Sequence, residues 1–242
     1  GCILHAEPNP DLLYGSVGAL PPLTVEEQAL STKHFYRELN RFGLTSVIDA
    51  GGGGHRFPVD YVGSEVLAEA GHLSVRISKF LFPQNKGQEL AEFQKWTRRW
   101  EVGVNRAKFM MNAYVLRGGG EFLVWAAGDY ENFMAEQPDI TTRPRWRKQL
   151  IAVTRHLLEN RWPLRIHATY DESMNHILDV FEAAHAVEVG EGRLGFAGIR
   201  WVFDHGETLT VPTLQRIKAL GGGMAMQARM AYAGEYFLER YG

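Results

Sequence analysis

The chain is predicted to be an α/β protein whose strands line up as the wall of a TIM-type (β/α)8 barrel, and three observations in the sequence say so. Short apolar runs bounded by turn residues alternate with stretches of 3.6-residue periodicity. The runs are apolar on both faces, as strands of a parallel sheet covered by helices must be. Polar residues recur where those runs end: Asp49, Arg117, His167, Asp204, His205, Gln227 and Arg229. A doubly wound open sheet gathers a ligand at one switch point, whereas a barrel places functional residues at the carboxyl ends of many strands, so the barrel accounts better for that distribution.

The elements follow in order. Residues 24–42 form a helix that opens on a capping box, Thr24 with Glu27, carries Leu30, His34, Phe35 and Leu39 on one side, and stops at Gly43. A first strand, "TSVIDAGGGG" at 45–54, runs into glycines. A helix over 62–71 leads to the second strand, 74–82, and a helix over 88–100 turns Leu90, Phe93, Trp96 and Trp100 inward. The third strand is assigned to "FMMNAYVL", 109–116, ending at Gly118 to Gly120. After an irregular stretch comes a helix over 145–160, then the fourth strand "PLRIHAT" and a helix from Glu172 to about Val187. The fifth strand is 199–205, and a short helix over 211–220 carries Pro212 in its first turn, where a missing amide hydrogen costs nothing. A sixth strand lies within 222–229. A closed barrel has eight strands and six are found, so the barrel is expected to be incomplete.

Composition narrows the function. The 242 residues are 45% hydrophobic with a net charge of −2, which offers no general field for nucleic acid or an anionic membrane. The cluster Arg143 to Lys148 is read as a solvated helix start. With Cys2 as the single cysteine, no intrachain disulfide forms and a reducing cytoplasm is expected. No run is long enough for a membrane helix. The chain begins at Gly1 and is expected to be a single partial barrel domain, 1–242, of a longer protein.

Of nine histidines, His34, His156, His176 and His185 fall inside helical patterns, and His5, His55 and His72 in loops or at element edges. His55, behind the first glycine run, could face a ligand. His167 and His205 each end a predicted strand and stand 38 residues apart, about one βα unit, which puts them on neighbouring strands at one rim. Two imidazoles there can share a metal ion, although a strand-end histidine can equally bind substrate or satisfy backbone.

At these residues the sequence resembles a known family. "HATYDESMNHILDVFE" and "RWVFDHGETLT" are similar to the strand-five and strand-six segments of the YtcJ-like metal-dependent hydrolases, amidohydrolase family 3, and "RELNRFGLTSVIDAGGGG" and "IKALGGGMAMQ" resemble that family in order and spacing. The resemblance implies that the six strands are barrel strands two to seven. It implies that His167 and His205 are ligands of a divalent metal, most simply zinc, as one or two ions, and that the longer protein hydrolyses C–N bonds of a small-molecule substrate with a metal-activated water. Gln227 matches a glutamine near the substrate in that family, and Arg229, Arg117 and Tyr170 lie where a substrate could reach. Asp171 is read as the cap of the helix beside it, with Asp204 or Asp171 available to fix the ring tautomers.

The sequence also departs from the family. It contains no His-x-His pair, the aspartate expected on an eighth strand to carry the proton lies beyond the chain, and the fourth-strand position that bridges two metals in some relatives offers Arg117 and Glu121, with Lys108 before the strand. The 242 residues alone are therefore expected to be a poor enzyme, and their open sheet edges to promote self-association. The alternative is a non-catalytic (β/α) barrel that binds a phosphate or sugar through the glycine runs at 51–54, 118–120 and 221–223.

Overall fold

A computed structural model describes residues 11–51, 56–111, 113–129 and 136–241. Cys2, His5, His55 and Gly52 to Gly54 therefore lie outside the described residues. Among these residues there are six strands, β1 (Ser46–Asp49), β2 (Arg76–Leu81), β3 (Tyr114–Gly119), β4 (Leu164–Ala168), β5 (Trp201–His205) and β6 (Gly223–Met226), joined in that order into one all-parallel sheet. Sequential order with every neighbour parallel, a helix returning the chain each time, is the wall of a (β/α) barrel, here open at β1 and β6. No helix of the described residues is long and apolar enough to cross a membrane.

The helices are α1 (Asp11–Gly18), α2 (Val25–Arg41), α3 (Val62–Glu69), α4 (Glu89–Arg99), α5 (Trp146–Glu159), α6 (Asp171–Gly190), α7 (Val211–Ala219) and α8 (Met230–Tyr241). Six of them match the sequence reading to within a few residues, while α1 and α8 carry no signal that it used. The capping box of α2 forms as expected, with Thr24 N donating to Glu27 Oε2 at 2.8 Å and Glu27 N to Thr24 Oγ1 at 3.2 Å. Of the side predicted for it, Leu39 packs on the cluster between α2 and the sheet. Tyr36 is buried against α3, whereas Leu30 and Phe35 stand 56% and 60% exposed. Gly63 allows that contact, because a Cβ there would meet Thr32 Oγ1 at 2.8 Å and Gln28 O at 2.9 Å.

The third strand is displaced from its predicted position. Residues 109–111 stay outside the sheet, with Phe109 87% exposed, and β3 instead runs through Arg117 and two of the glycines. The cause is steric. A side chain at Gly118 would sit on the Pro163 carbonyl oxygen, and one at Gly119 would crowd Phe93, Leu123 and Leu157. Glycine here is what lets β3 lie against the start of β4, not what ends the strand. Arg117 is consequently not at the strand end but inside it, with Nε donating to Ser78 Oγ at 3.2 Å.

The main core lies between the sheet and α4 to α7, with Phe93, Leu150, Leu157, Ile177, Phe181, Trp201 and Phe203 all essentially without solvent contact. A smaller cluster under α2 and α3 contains a cation. Lys79, 1% exposed, places Nζ 3.1 Å from Glu65 Oε1 and 3.8 Å from the centre of the Tyr114 ring. Burial pulls its pKa from 10.5 to about 8, against the opposing pull of Glu65. An unfolded chain keeps this proton until about pH 10.5 while the folded one releases it near 8, so the stability cost is largest below pH 8 and is relieved as pH rises. Chemical denaturation is expected to show stability increasing from about pH 8 until tyrosines ionise near 10, and Lys79→Met is expected to flatten that rise.

Candidate metal centre

Two histidines meet at the mouth of the sheet. His167, in β4, is 4% exposed. His205 closes β5 with φ of 79°, a left-handed conformation uncommon for a residue with a side chain, which turns the ring out of the alternation of its strand. The ring centres are 4.2 Å apart with 59° between their planes. The expected side-by-side emergence at a common rim is therefore present.

Between them stands a carboxylate that the sequence offers but does not mark as a partner. Glu121 Oε1 lies 2.8 Å from His167 Nδ1 and 2.8 Å from His205 Nε2. The backbone fixes its place: Glu121 N donates to Ala50 O at 3.0 Å, and His167 N donates to Glu121 O at 2.8 Å. Because β3 ends two residues earlier than this, Glu121 is carried over the edge of the sheet to the neighbouring strand's rim. Burial alone would raise its carboxyl pKa, but hydrogen bonds from both rings draw it down to about 2. Burial likewise opposes charge on His167, and Asp129 and Glu121 overcome it, so its pKa rises to about 10. The result is an anion compressed between two ring nitrogens.

The rings are also held from behind. His167 Nε2 is 2.9 Å from the main-chain oxygen of Asp129, a residue without solvent exposure in the irregular stretch after β3, and His205 Nδ1 is 2.6 Å from Gln227 Oε1. Asp129 has no sequence signal, since it belongs to no periodic segment. The two acids expected to fix the rings do other things. Asp204 forms a two-bond ion pair with Arg165, whose Nε lies 2.9 Å from Oδ2 and whose guanidinium rests over Phe80. Asp171 does not cap its own helix: its Oδ1 accepts from Thr210 N at 2.8 Å, just ahead of α7, and its Oδ2 accepts from Asn175 Nδ2 at 2.9 Å. Tyr170, expected within reach of substrate, is fully buried. Gln227 and Arg229 do lie at the rim, at the end of β6, with Arg229 Nη2 donating to Gln227 Oε1 at 2.9 Å.

Two of the histidines inside helical patterns are hydrogen-bonded within the protein. His156 Nε2 is 2.9 Å from Thr97 Oγ1, and His185 Nδ1 accepts from Phe196 N at 3.1 Å. Of the glycine runs, the second is packed against protein as described above, and Gly222 lies against the Trp201 ring.

Comparison with known proteins decides the family at this point. Residues 3–242 match the model of the amidohydrolase family. This chain is an amidohydrolase family member. Among solved structures it is similar to an uncharacterized metal-dependent hydrolase from Pyrococcus horikoshii OT3, with 20% identity and a TM-score of 0.59 over 91% of this chain and 41% of that one. It is similar also to an uncharacterized metal-dependent hydrolase from Pyrococcus furiosus, with 16% identity and a TM-score of 0.57 over 93% of this chain and 43% of that one. The chain thus spans about two fifths of the length of these structures, and at such identities the likeness is one of fold. No curated protein matches the chain. For an amidohydrolase, the donor set at the rim has suitable chemistry: one carboxylate oxygen and two imidazole nitrogens, all within 4.8 Å of one another.

The layer beneath the rim is the more fragile part. Asp204 is 5% exposed and has Arg165 as its counter-charge, so Arg165→Met strands a buried carboxylate next to His205. We expect a loss of about 3–5 kcal/mol in urea denaturation.

Proposed function

We propose that the chain is the metal-holding wall of a YtcJ-like hydrolase acting on C–N, amide-type bonds of a small-molecule substrate. The observation that carries this is the convergence of Glu121 Oε1, His167 Nδ1 and His205 Nε2, three donors from three successive strand ends, inside a chain of the amidohydrolase family. Those three residues would hold the ion, and the hard-to-intermediate character of carboxylate and imidazole favours zinc among common divalent ions. When bound, such an ion polarises a scissile carbonyl and lowers the pKa of a water toward about 7. The chain's own part is positional: the left-handed turn at His205 and the backbone bonds of Glu121 bring the donors to one point before any ligand arrives. Because no proton carrier is assigned among the described residues, we expect the 242 residues alone to bind metal without efficient turnover.

The phosphate or sugar reading has less support, since Gly118, Gly119 and Gly222 are packed against Pro163, Phe93 and Trp201. Our reading of compartment, a reducing cytoplasm, rests on the single cysteine.

Elemental analysis after dialysis against zinc tests the metal site. The wild type is expected to retain zinc, while His167→Ala, His205→Ala and Glu121→Ala each lose at least tenfold in affinity, because each removes a ligand. Zinc retention unchanged in all three would remove the site. Separately, among the described residues β1 and β6 each pair on one side only, and unpaired parallel edges recruit partners, so we propose self-association. Sedimentation velocity is expected to show a concentration-dependent dimer or larger species.

A further inference from the structure

Each imidazole is gripped at the nitrogen that faces away from Glu121, and the two grips differ. Behind His167, Nε2 meets the main-chain oxygen of Asp129 at 2.9 Å and its Oδ1 at 3.3 Å. The same carboxylate accepts from Thr169 N at 2.9 and 3.0 Å and from Tyr170 N at 3.0 Å, tying the segment after β3 to the segment after β4. Behind His205, Nδ1 meets Gln227 Oε1 at 2.6 Å, and that oxygen also receives Arg229 Nη2 at 2.9 Å. Arg229 in turn lies, through Nε, 3.5 Å from Oε1 of Glu207, whose side chain is buried.

A neutral imidazole carries one N–H and one lone pair, and a carbonyl oxygen only accepts. Here both nitrogens of each ring face acceptors, Glu121 Oε1 on one side and Asp129 O or Gln227 Oε1 on the other, so both hold a hydrogen until an ion displaces the one directed at Glu121. The nitrogen backed by Asp129 or Gln227 then keeps its hydrogen, and the opposite one offers the lone pair. The Asp129 main chain leaves no ambiguity about which atom is presented. A glutamine amide could be turned end for end, but Arg229 can only donate, so the atom it shares with His205 is the oxygen. The nitrogens that meet Glu121 Oε1 are Nδ1 of His167 and Nε2 of His205.

We propose that Asp129 and the Gln227–Arg229 pair are positioning residues that select Nδ1 of His167 and Nε2 of His205 as the two lone pairs turned toward the shared point. This rests on the metal reading above. The role is exercised through the rings and needs no substrate. It also distinguishes Gln227 from an ordinary rim residue: although the residue is exposed, its amide oxygen is shared by His205 and Arg229.

The test uses the 242-residue chain with zinc as the probe, its affinity measured by competition with a chromophoric chelator and its ring states by nitrogen-15 NMR of labelled histidines in the zinc-loaded protein. The wild type should show hydrogen on Nε2 of His167 and on Nδ1 of His205. Gln227→Leu and Asp129→Asn should each weaken zinc binding about 10–100-fold. Gln227→Glu, which keeps an oxygen acceptor, should recover most of the loss and the His205 ring signature, a rescue that a purely structural role would not give. Gln227 is exposed, so its variants fold even if Asp129→Asn does not. Zinc affinity of Gln227→Leu equal to wild type, or wild-type hydrogen on the opposite ring nitrogens, overturns the proposal alone; a wild type that takes up no zinc overturns it together with the metal reading.

Discussion

The site depends on one carboxylate oxygen held 2.8 Å from two imidazole nitrogens on adjacent strands. Neighbouring parallel strands lie only about 4.8 Å apart, so side chains leaving their ends meet readily. A third donor must come from elsewhere. Glu121 arrives because the backbone at Gly118 can touch Pro163, which lets β3 run close beside β4 and pass Glu121 on to bond with His167 N. A residue with a side chain at 118 would push the two strands apart and withdraw the carboxylate. Backbone packing several residues below the rim thus sets the electrostatics at the rim.

That dependence also explains what was legible in the sequence. The strand-then-helix rhythm, the order of six strands and the meeting of His167 and His205 all follow from local patterns, because periodicity and strand ends are local properties. The register of β3 was not legible. "FMMNAYVL" has better strand residues than "YVLRGG", yet the second is the strand, since what decides is whether Pro163 can approach, a contact 45 residues away in sequence. The same non-locality hid Asp129, whose segment has no period, and misdirected Asp171 and Asp204. Each acid has several donors within reach, and only the fold shows that Thr210 and Arg165 are the nearer ones. The face of α2 was legible only in part for a related reason: Leu39 packs as its pattern suggests, but Leu30 and Phe35 are exposed, because α3 approaches through Gly63 on the side of Gln28, Thr32 and Tyr36.

Charge is arranged in tiers around this centre. At the rim, Glu121 is buried between ring nitrogens. One layer down, Asp204 is neutralised by Arg165, which rests on Phe80, and farther round the sheet Lys79 is neutralised by Glu65 against Tyr114. Burial works against the charged form of each of these groups. Two of them are enclosed ion pairs between elements, the type of interaction that adds little to stability but is costly to break. The rim differs, because its counter-charges are titrating rings, not fixed cations.

That difference bears on why a left-handed backbone is tolerated at His205. A φ of 79° costs free energy in any residue with a Cβ, and β5 could end without it, as β4 does at Ala168. What the turn achieves is direction. Ala168 and His205 are register partners, so in regular extended geometry the His205 side chain would follow that of Ala168, away from the face on which His167 stands beside Asp204. Only by leaving the extended conformation does His205 bring its ring within 4.2 Å of His167. The strain lies at the one residue whose ring must cross to the other side of its own sheet, where ordinary strand packing offers no return for it, and that argues that the pairing of the rings is what the local structure serves.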